Sequence, residues 1–108
     1  MEATLIVNNI VVNKSAFGKT VYLLDNYRDL KNGMKITNNY SSIVDLLDKA
    51  IELISDDEYI NTIKYYYLEG KSAEETAFLM GIDTRTFYRK KKRLVRRLSV
   101  ILYGDQAL

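Results

Sequence analysis

The stretch from Lys71 to Leu98 reads KSAEETAFLMGIDTRTFYRKKKRLVRRL, and its punctuation decides the fold. Ser72-Ala-Glu-Glu75 is a capping box, in which the Ser72 and Glu75 side chains each satisfy an orphan amide at a helix start. A short helix to Met80 is expected. Gly81 then stands where the chain must turn sharply, because glycine takes positive φ without steric cost. Ile82 is placed to plug the gap between two helices. Asp83 caps a second helix, and its charge suits the positive end of the helix dipole. A capped helix, a glycine turn and a second capped helix make a helix-turn-helix.

The second helix is sorted into two faces. At about 100° per residue, Phe87, Leu94, Val95, Leu98, Ile101 and Leu102 fall on one side. Arg85, Arg89, Lys92, Arg93 and Arg96 fall on the opposite side, with Tyr88 on the border. Eight basic residues and no acidic one lie between Arg85 and Arg97. The chain has 16 basic and 14 acidic residues, so the other eight bases face all fourteen acids, a balance of −6. The net charge of +2 hides that asymmetry. A basic helix on an otherwise acidic small protein points to a polyanion partner. Charge runs are ordinarily just solvated helix faces. This one stands on the helix that enters the major groove in a helix-turn-helix.

That placement assigns roles. The exposed side chains at the start of the helix, Thr84, Arg85, Tyr88 and Arg89, would meet base edges. Arginine can bond a guanine bidentately and a threonine methyl can touch thymine. Lys92, Arg93 and Arg96 lie further along and would hold phosphates. Ser72 and the amides beside it could grip a phosphate across the groove. With Thr86, these residues form the expected DNA-binding set.

Outward from this stretch, the 108 residues are expected to form one domain spanning 1–108. Residues 1–55 would supply an N-terminal arm and helices, a candidate dimerisation part. Residues 56–104 would hold the helix-turn-helix. Hydrophobic content of 47% is ample for folding. Proline and cysteine are both absent, which removes internal helix breaks, disulfides and cysteine-based zinc sites. No run approaches the ~18 apolar residues of a membrane span, and no secretion signal opens the chain. A cytoplasmic location is the expectation.

Leu5-Ile-Val7 and Ile10-Val-Val12 are short β-branched runs around Asn8-Asn9, compatible with a hairpin or with an arm that docks elsewhere. From about Ser15 a helical period takes over: Leu23, Tyr27, Leu30 and Met34 share a face, with Asp25 and Asp29 on the far side. Gly33 weakens its end. Asn38-Asn39 and Ser41-Ser42 read as a polar connection, with Ser42 capping the next helix. That helix, near Ile43 to Ile54, is apolar at Ile43, Val44, Leu46, Leu47, Ala50, Ile51, Leu53 and Ile54. Such a face suits a central core helix, with a second copy of the protein as the alternative partner. Asp56-Asp-Glu58 is expected to open a third helix that turns Ile60, Ile63 and Tyr67 inward, the acids offsetting its dipole. Tyr65 and Tyr66 would be half exposed.

An enzyme is not expected. Histidine is absent, which removes the commonest general base and the commonest metal ligand. The five glycines are scattered singly, so no phosphate-cradling loop appears. No cofactor is implied.

Tyr67-Leu-Glu-Gly70, Ser72-Ala-Glu-Glu-Thr-Ala77, Met80-Gly-Ile82 and Thr86-Phe87 together resemble region 4 of bacterial sigma factors. The likeness runs from about Asp56 to Leu102. Leu24-Asp-Asn-Tyr-Arg-Asp-Leu-Lys31 is similar to the front of short phage late-gene regulators of the ArpU type, which carry a sigma-like tail. The resemblance implies an all-α fold of four to five helices ending in a region 4-like helix-turn-helix. It also implies a transcription regulator that binds double-stranded DNA and touches RNA polymerase. Two further readings are a region 4 mimic acting through polymerase alone, and the DNA-recognition subunit of a viral packaging motor. A homodimer reading two half-sites is expected over a monomer. Three positions depart from the family pattern: Thr76 replaces an aliphatic, Phe87 a smaller residue, and Lys91 a position that is commonly apolar.

Overall fold

The computed structural model describes residues 2–7, 10–38 and 41–108, with side chains from Ser15 onward apart from Asn39 and Tyr40. Of the expected polar connections, Asn8-Asn9 and Asn39 lie outside the described residues. The packed body is all-α. It contains α1 (Ala16–Asp25), α2 (Tyr27–Thr37), α3 (Ser42–Leu53), α4 (Asn61–Ile63), α5 (Ala73–Met80) and α6 (Thr84–Tyr103). Ahead of it, β1 (Glu2–Val7) and β2 (Ile10–Ser15) pair antiparallel, from Glu2↔Ser15 to Val7↔Ile10. The β-branched runs that left hairpin and arm both open thus form a two-stranded ribbon. No helix of the described residues is long and apolar enough to cross a membrane.

Among the described residues the expected all-α fold of about four to five helices is divided into six, and local side-chain chemistry accounts for the extra division. The single helix anticipated from Ser15 is broken at Asn26, whose side-chain amide donates to the Tyr22 carbonyl at 2.8 Å. The side chain shares that carbonyl with the Asn26 backbone amide, at 3.1 Å, a local bond of the kind asparagine makes at helix ends. The face is nevertheless kept. Leu23 and Tyr27 are buried, and Leu30 and Met34 pack against the same core. The Tyr27 hydroxyl donates to Asp48 Oδ1 at 2.6 Å, and Lys31 Nζ sits 2.9 Å from Asp48 Oδ2. These contacts clasp α2 to α3.

The wide apolar face of α3 divides. Val44, Leu47, Ala50, Ile51 and Ile54 are consumed by the core, as a central helix requires. Leu46 and Leu53, seven residues apart, stay 52% and 69% exposed. The cap of α3 shifts by one residue: Ser41, not Ser42, is the N-cap, and its side chain makes no capping bond.

The third helix does not open at Asp56. Asp57 Oδ1 accepts the Tyr59 amide at 2.9 Å and holds Asp56 to Ile60 in successive turns, so α4 begins only at Asn61. Short aspartate side chains favour such turns over helix. The chain then widens into a π-helical segment, Lys64–Leu68, closed by the Glu69 amide on the Lys64 carbonyl at 3.0 Å. A wider turn reduces the angle between successive residues. Adjacent Tyr66 and Tyr67 therefore meet edge to face, centroids 4.9 Å apart. Tyr67 is buried, while Tyr65 and Tyr66 are half buried as expected.

Four of these elements, α1, α3, α4 and α5, converge on α6. Leu94, Val95 and Leu98 enter the main core beside Leu47, Ile54 and Ile63. Full burial of each such side chain contributes about 1.5–3 kcal/mol. Ile101, expected on the inward face, is instead 40% exposed. The buried stripe rotates toward α1, where Ser99 is buried instead. Ser99 Oγ lies 3.0 Å from Thr20 Oγ1 and 2.9 Å from the Val95 carbonyl, while Thr20 donates to the Ala16 carbonyl at 2.8 Å.

Candidate nucleic-acid interface

A second, smaller core joins α5 to the start of α6. Ala73 and Ala77 are buried against Phe87, with Ile82 and Tyr66 at the margin. The Ser72 hydroxyl accepts the Glu75 amide at 3.0 Å and starts α5. Gly81 ends it in the left-handed region at φ 68°, and the Ile82 amide reaches back to the Ala77 carbonyl at 3.0 Å. Asp83 Oδ1 accepts the Thr86 amide at 2.7 Å and starts α6. These bonds to Thr86 hold the Asp83 carboxyl below its usual range, with Arg85 and Arg89 assisting. Cap, turn and cap thus occur where the sequence pattern placed them, with Ile82 as the plug.

Of the expected contact residues, Ser72, Thr84, Arg85, Tyr88, Arg89, Lys92, Arg93 and Arg96 are exposed, and Thr86 is half buried. Arg89, Lys92, Arg93 and Arg96 line one shallow groove of about 340 Å³. From Arg85 to Arg96 the stripe runs about 16 Å at 1.5 Å per residue. Tyr88 stands edge-on to Phe87 at 5.1 Å.

The eight cations of α6 are not equivalent. Arg93 Nη2 donates to both carboxylate oxygens of Asp57, at 3.1 and 3.0 Å, and Arg97 Nη1 stands 3.7 Å from the same carboxylate. Partial burial by itself pushes the Asp57 carboxyl up. The Tyr59 amide and the two guanidiniums outweigh that and hold it below its usual range. Lys90 Nζ lies 4.6 Å from the Tyr59 ring centre, and the Arg96 guanidinium lies 5.9 Å from that of Phe17. Lys91 is half buried among aromatic rings, and that burial pulls its ammonium down against the field of Asp25. Arg85, Arg89 and Lys92 make no close ion pair among the described residues, although Arg85 and Arg89 lie in the field of Asp83.

Sequence reasoning missed Asp57 as the counter-ion of Arg93, because the two are 36 residues apart and nothing local links them. The acids of Asp56-Asp-Glu58 were expected to offset a helix dipole. The middle one bridges to the basic helix instead. Lys91, flagged by its departure from an apolar pattern, is the one cation whose odd position could have been noticed.

Comparison with protein-family models, with curated proteins and with solved structures gave no match.

Proposed function

We propose that this chain is a DNA-binding transcription regulator that reads the major groove with the first turns of α6. The observation that carries the reading is the outward row Arg85, Arg89, Lys92 and Arg96 on a helix whose other face is locked into the core. A rigid element presenting several cations along ~16 Å suits a groove about 12 Å wide, with the ends of the row on its phosphate walls. Arg85 and Arg89 take base edges in this reading, with Thr84, Thr86 and Tyr88 around them. Lys92 and Arg96 take phosphates, and the α5 start at Ser72 takes the opposite strand. Arg93 is partly neutralised by Asp57 and has the smaller share. The work would be done in the cytoplasm. Selection from a random duplex library tests the reading: a shared motif among bound sequences supports it, and an unenriched pool overturns it.

Contact with RNA polymerase, as the sigma-like pattern implies, has its own observation. Phe78 and Leu79 are 83% and 52% exposed on α5, beside the exposed acids Glu74 and Glu75. An apolar pair of that size on a short acidic helix suits a protein partner. Retention of Phe78→Ala on immobilised core polymerase, compared with the parent, is the check. A homodimer would use the stripe left by Leu46 and Leu53 on α3. Sedimentation at micromolar concentration distinguishes it from a monomer.

A further inference from the structure

The half-buried ammonium of Lys91 is ringed by aromatic side chains. Its Nζ lies 4.5 Å from the ring centre of Tyr66, 5.3 Å from Tyr88, 5.5 Å from Tyr67 and 5.7 Å from Phe87. Among the described residues no carboxylate comes within ion-pair range of it. Aromatic faces compensate a desolvated cation only in part. A charge withdrawn from water, with only the field of Asp25 from beyond ion-pair range to offset it, is unfavourable. Lys91 sits in the wall of a groove between α1 and α6 that holds about 310 Å³. Phe17, Val21, Tyr67 and Val95 make the groove apolar, and Lys92 is a second cation in its wall.

We propose that this groove is a binding site for a small amphipathic anion, a carboxylate with a flat aromatic or short aliphatic body. The carboxylate meets Lys91 and Lys92, and the body lies on Phe17, Val21 and Val95. An apolar pocket with a few converging polar groups is the usual form of a small-molecule site, and this volume falls at the small end of that class. The charge argument selects an anion over a neutral hydrophobe. The size selects a small molecule over a macromolecular segment. The site does not depend on the DNA-binding reading, because Lys91 lies about 140° around α6 from Arg96 and off the basic stripe. Lys92 and Tyr88 belong to both surfaces, so an occupant of the groove draws on one charge and one ring of the DNA-contact set.

The test is a titration of amide ¹H–¹⁵N spectra of the full chain with 1-naphthoate and, separately, with uncharged 1-naphthalenemethanol. The expected result is saturable shifts at Phe17, Val21, Tyr67, Tyr88 and Val95 with naphthoate. Binding of the alcohol should be roughly tenfold weaker or more, the loss of one charge-assisted hydrogen bond. Lys91→Met, similar in shape and uncharged, should reduce the preference for the acid several-fold, leaving only the share of Lys92. The proposal is overturned if naphthoate gives no saturable shifts there into the millimolar range, or if acid and alcohol bind alike. An undiminished preference in folded Lys91→Met also overturns it. Should that variant not fold, the comparison of the two ligands on the unaltered chain decides.

Discussion

Arg93 on α6 donates to both carboxylate oxygens of Asp57, which lies in the turns before α4, at 3.1 and 3.0 Å. That one carboxylate also faces Arg97 and accepts the Tyr59 amide, so it shapes a turn and anchors the basic helix together. It holds two of the eight cations of α6 against the protein's own body and leaves the outward row distinct from them.

Asp57→Asn tests this anchor through pH. The folded carboxyl lies below its ordinary value, so its contribution is present above the unfolded pKa and is lost as pH falls through the folded one. Near neutrality the variant should be less stable by about 1 kcal/mol, because Arg93 is half exposed and the pair is screened. The difference should shrink below about pH 4. Urea unfolding of both proteins across that range gives the answer, and a difference that grows in acid would contradict the account.

Thr76 is completely buried, and its hydroxyl has no hydrogen-bond partner among the described residues. Thr76→Val keeps the shape and removes the orphan, so stability should rise by about 1 kcal/mol. For a domain of this size that is a Tm increase of roughly 4 °C. Calorimetry showing a lower Tm would mean that the hydroxyl is satisfied in solution.

Gly81 and Gly33 separate backbone strain from crowding. A Cβ at either position would meet nothing within 4 Å, yet only Gly81 has positive φ. Gly81→Val should therefore destabilise by about 1–3 kcal/mol through conformation alone. Gly33→Ala, inside α2, should stabilise by roughly 0.5–1 kcal/mol. Thermal unfolding of the two variants should move in opposite directions.

Arg85→Ala and Arg89→Ala should each lose about 1–3 kcal/mol of discrimination at one base pair. Arg96→Ala should weaken all sequences alike and reduce the salt slope by about one. Competition binding with single-base variants of a selected duplex separates the two classes. A change of base preference in Arg96→Ala alone would reverse the assigned roles.

Much of this architecture was legible because its signals are local. Ser72, Gly81 and Asp83 act on amides within a few positions of themselves, and the two faces of α6 follow from helical spacing. The unread parts depend on tertiary contact or on competing side chains. A helix ends at Asn26, whose side chain and amide share the Tyr22 carbonyl, and Asp57 makes a turn where acids before an apolar run suggested a helix start. Ser99 is buried because α1 supplies Thr20, 79 residues away. The tyrosine run did not disclose a π-helical segment. Nor did the position of Lys91 in the sequence indicate the rings that the π-helical segment and α6 assemble around it.

The most direct test of the central claim is the dependence of duplex-DNA affinity on salt. If the outward row of α6 and the start of α5 neutralise about four to six phosphates, log K should fall linearly with log salt. The slope should lie between about −3.6 and about −5.4. A flat titration, or no binding at low salt, would contradict a nucleic-acid role for α6.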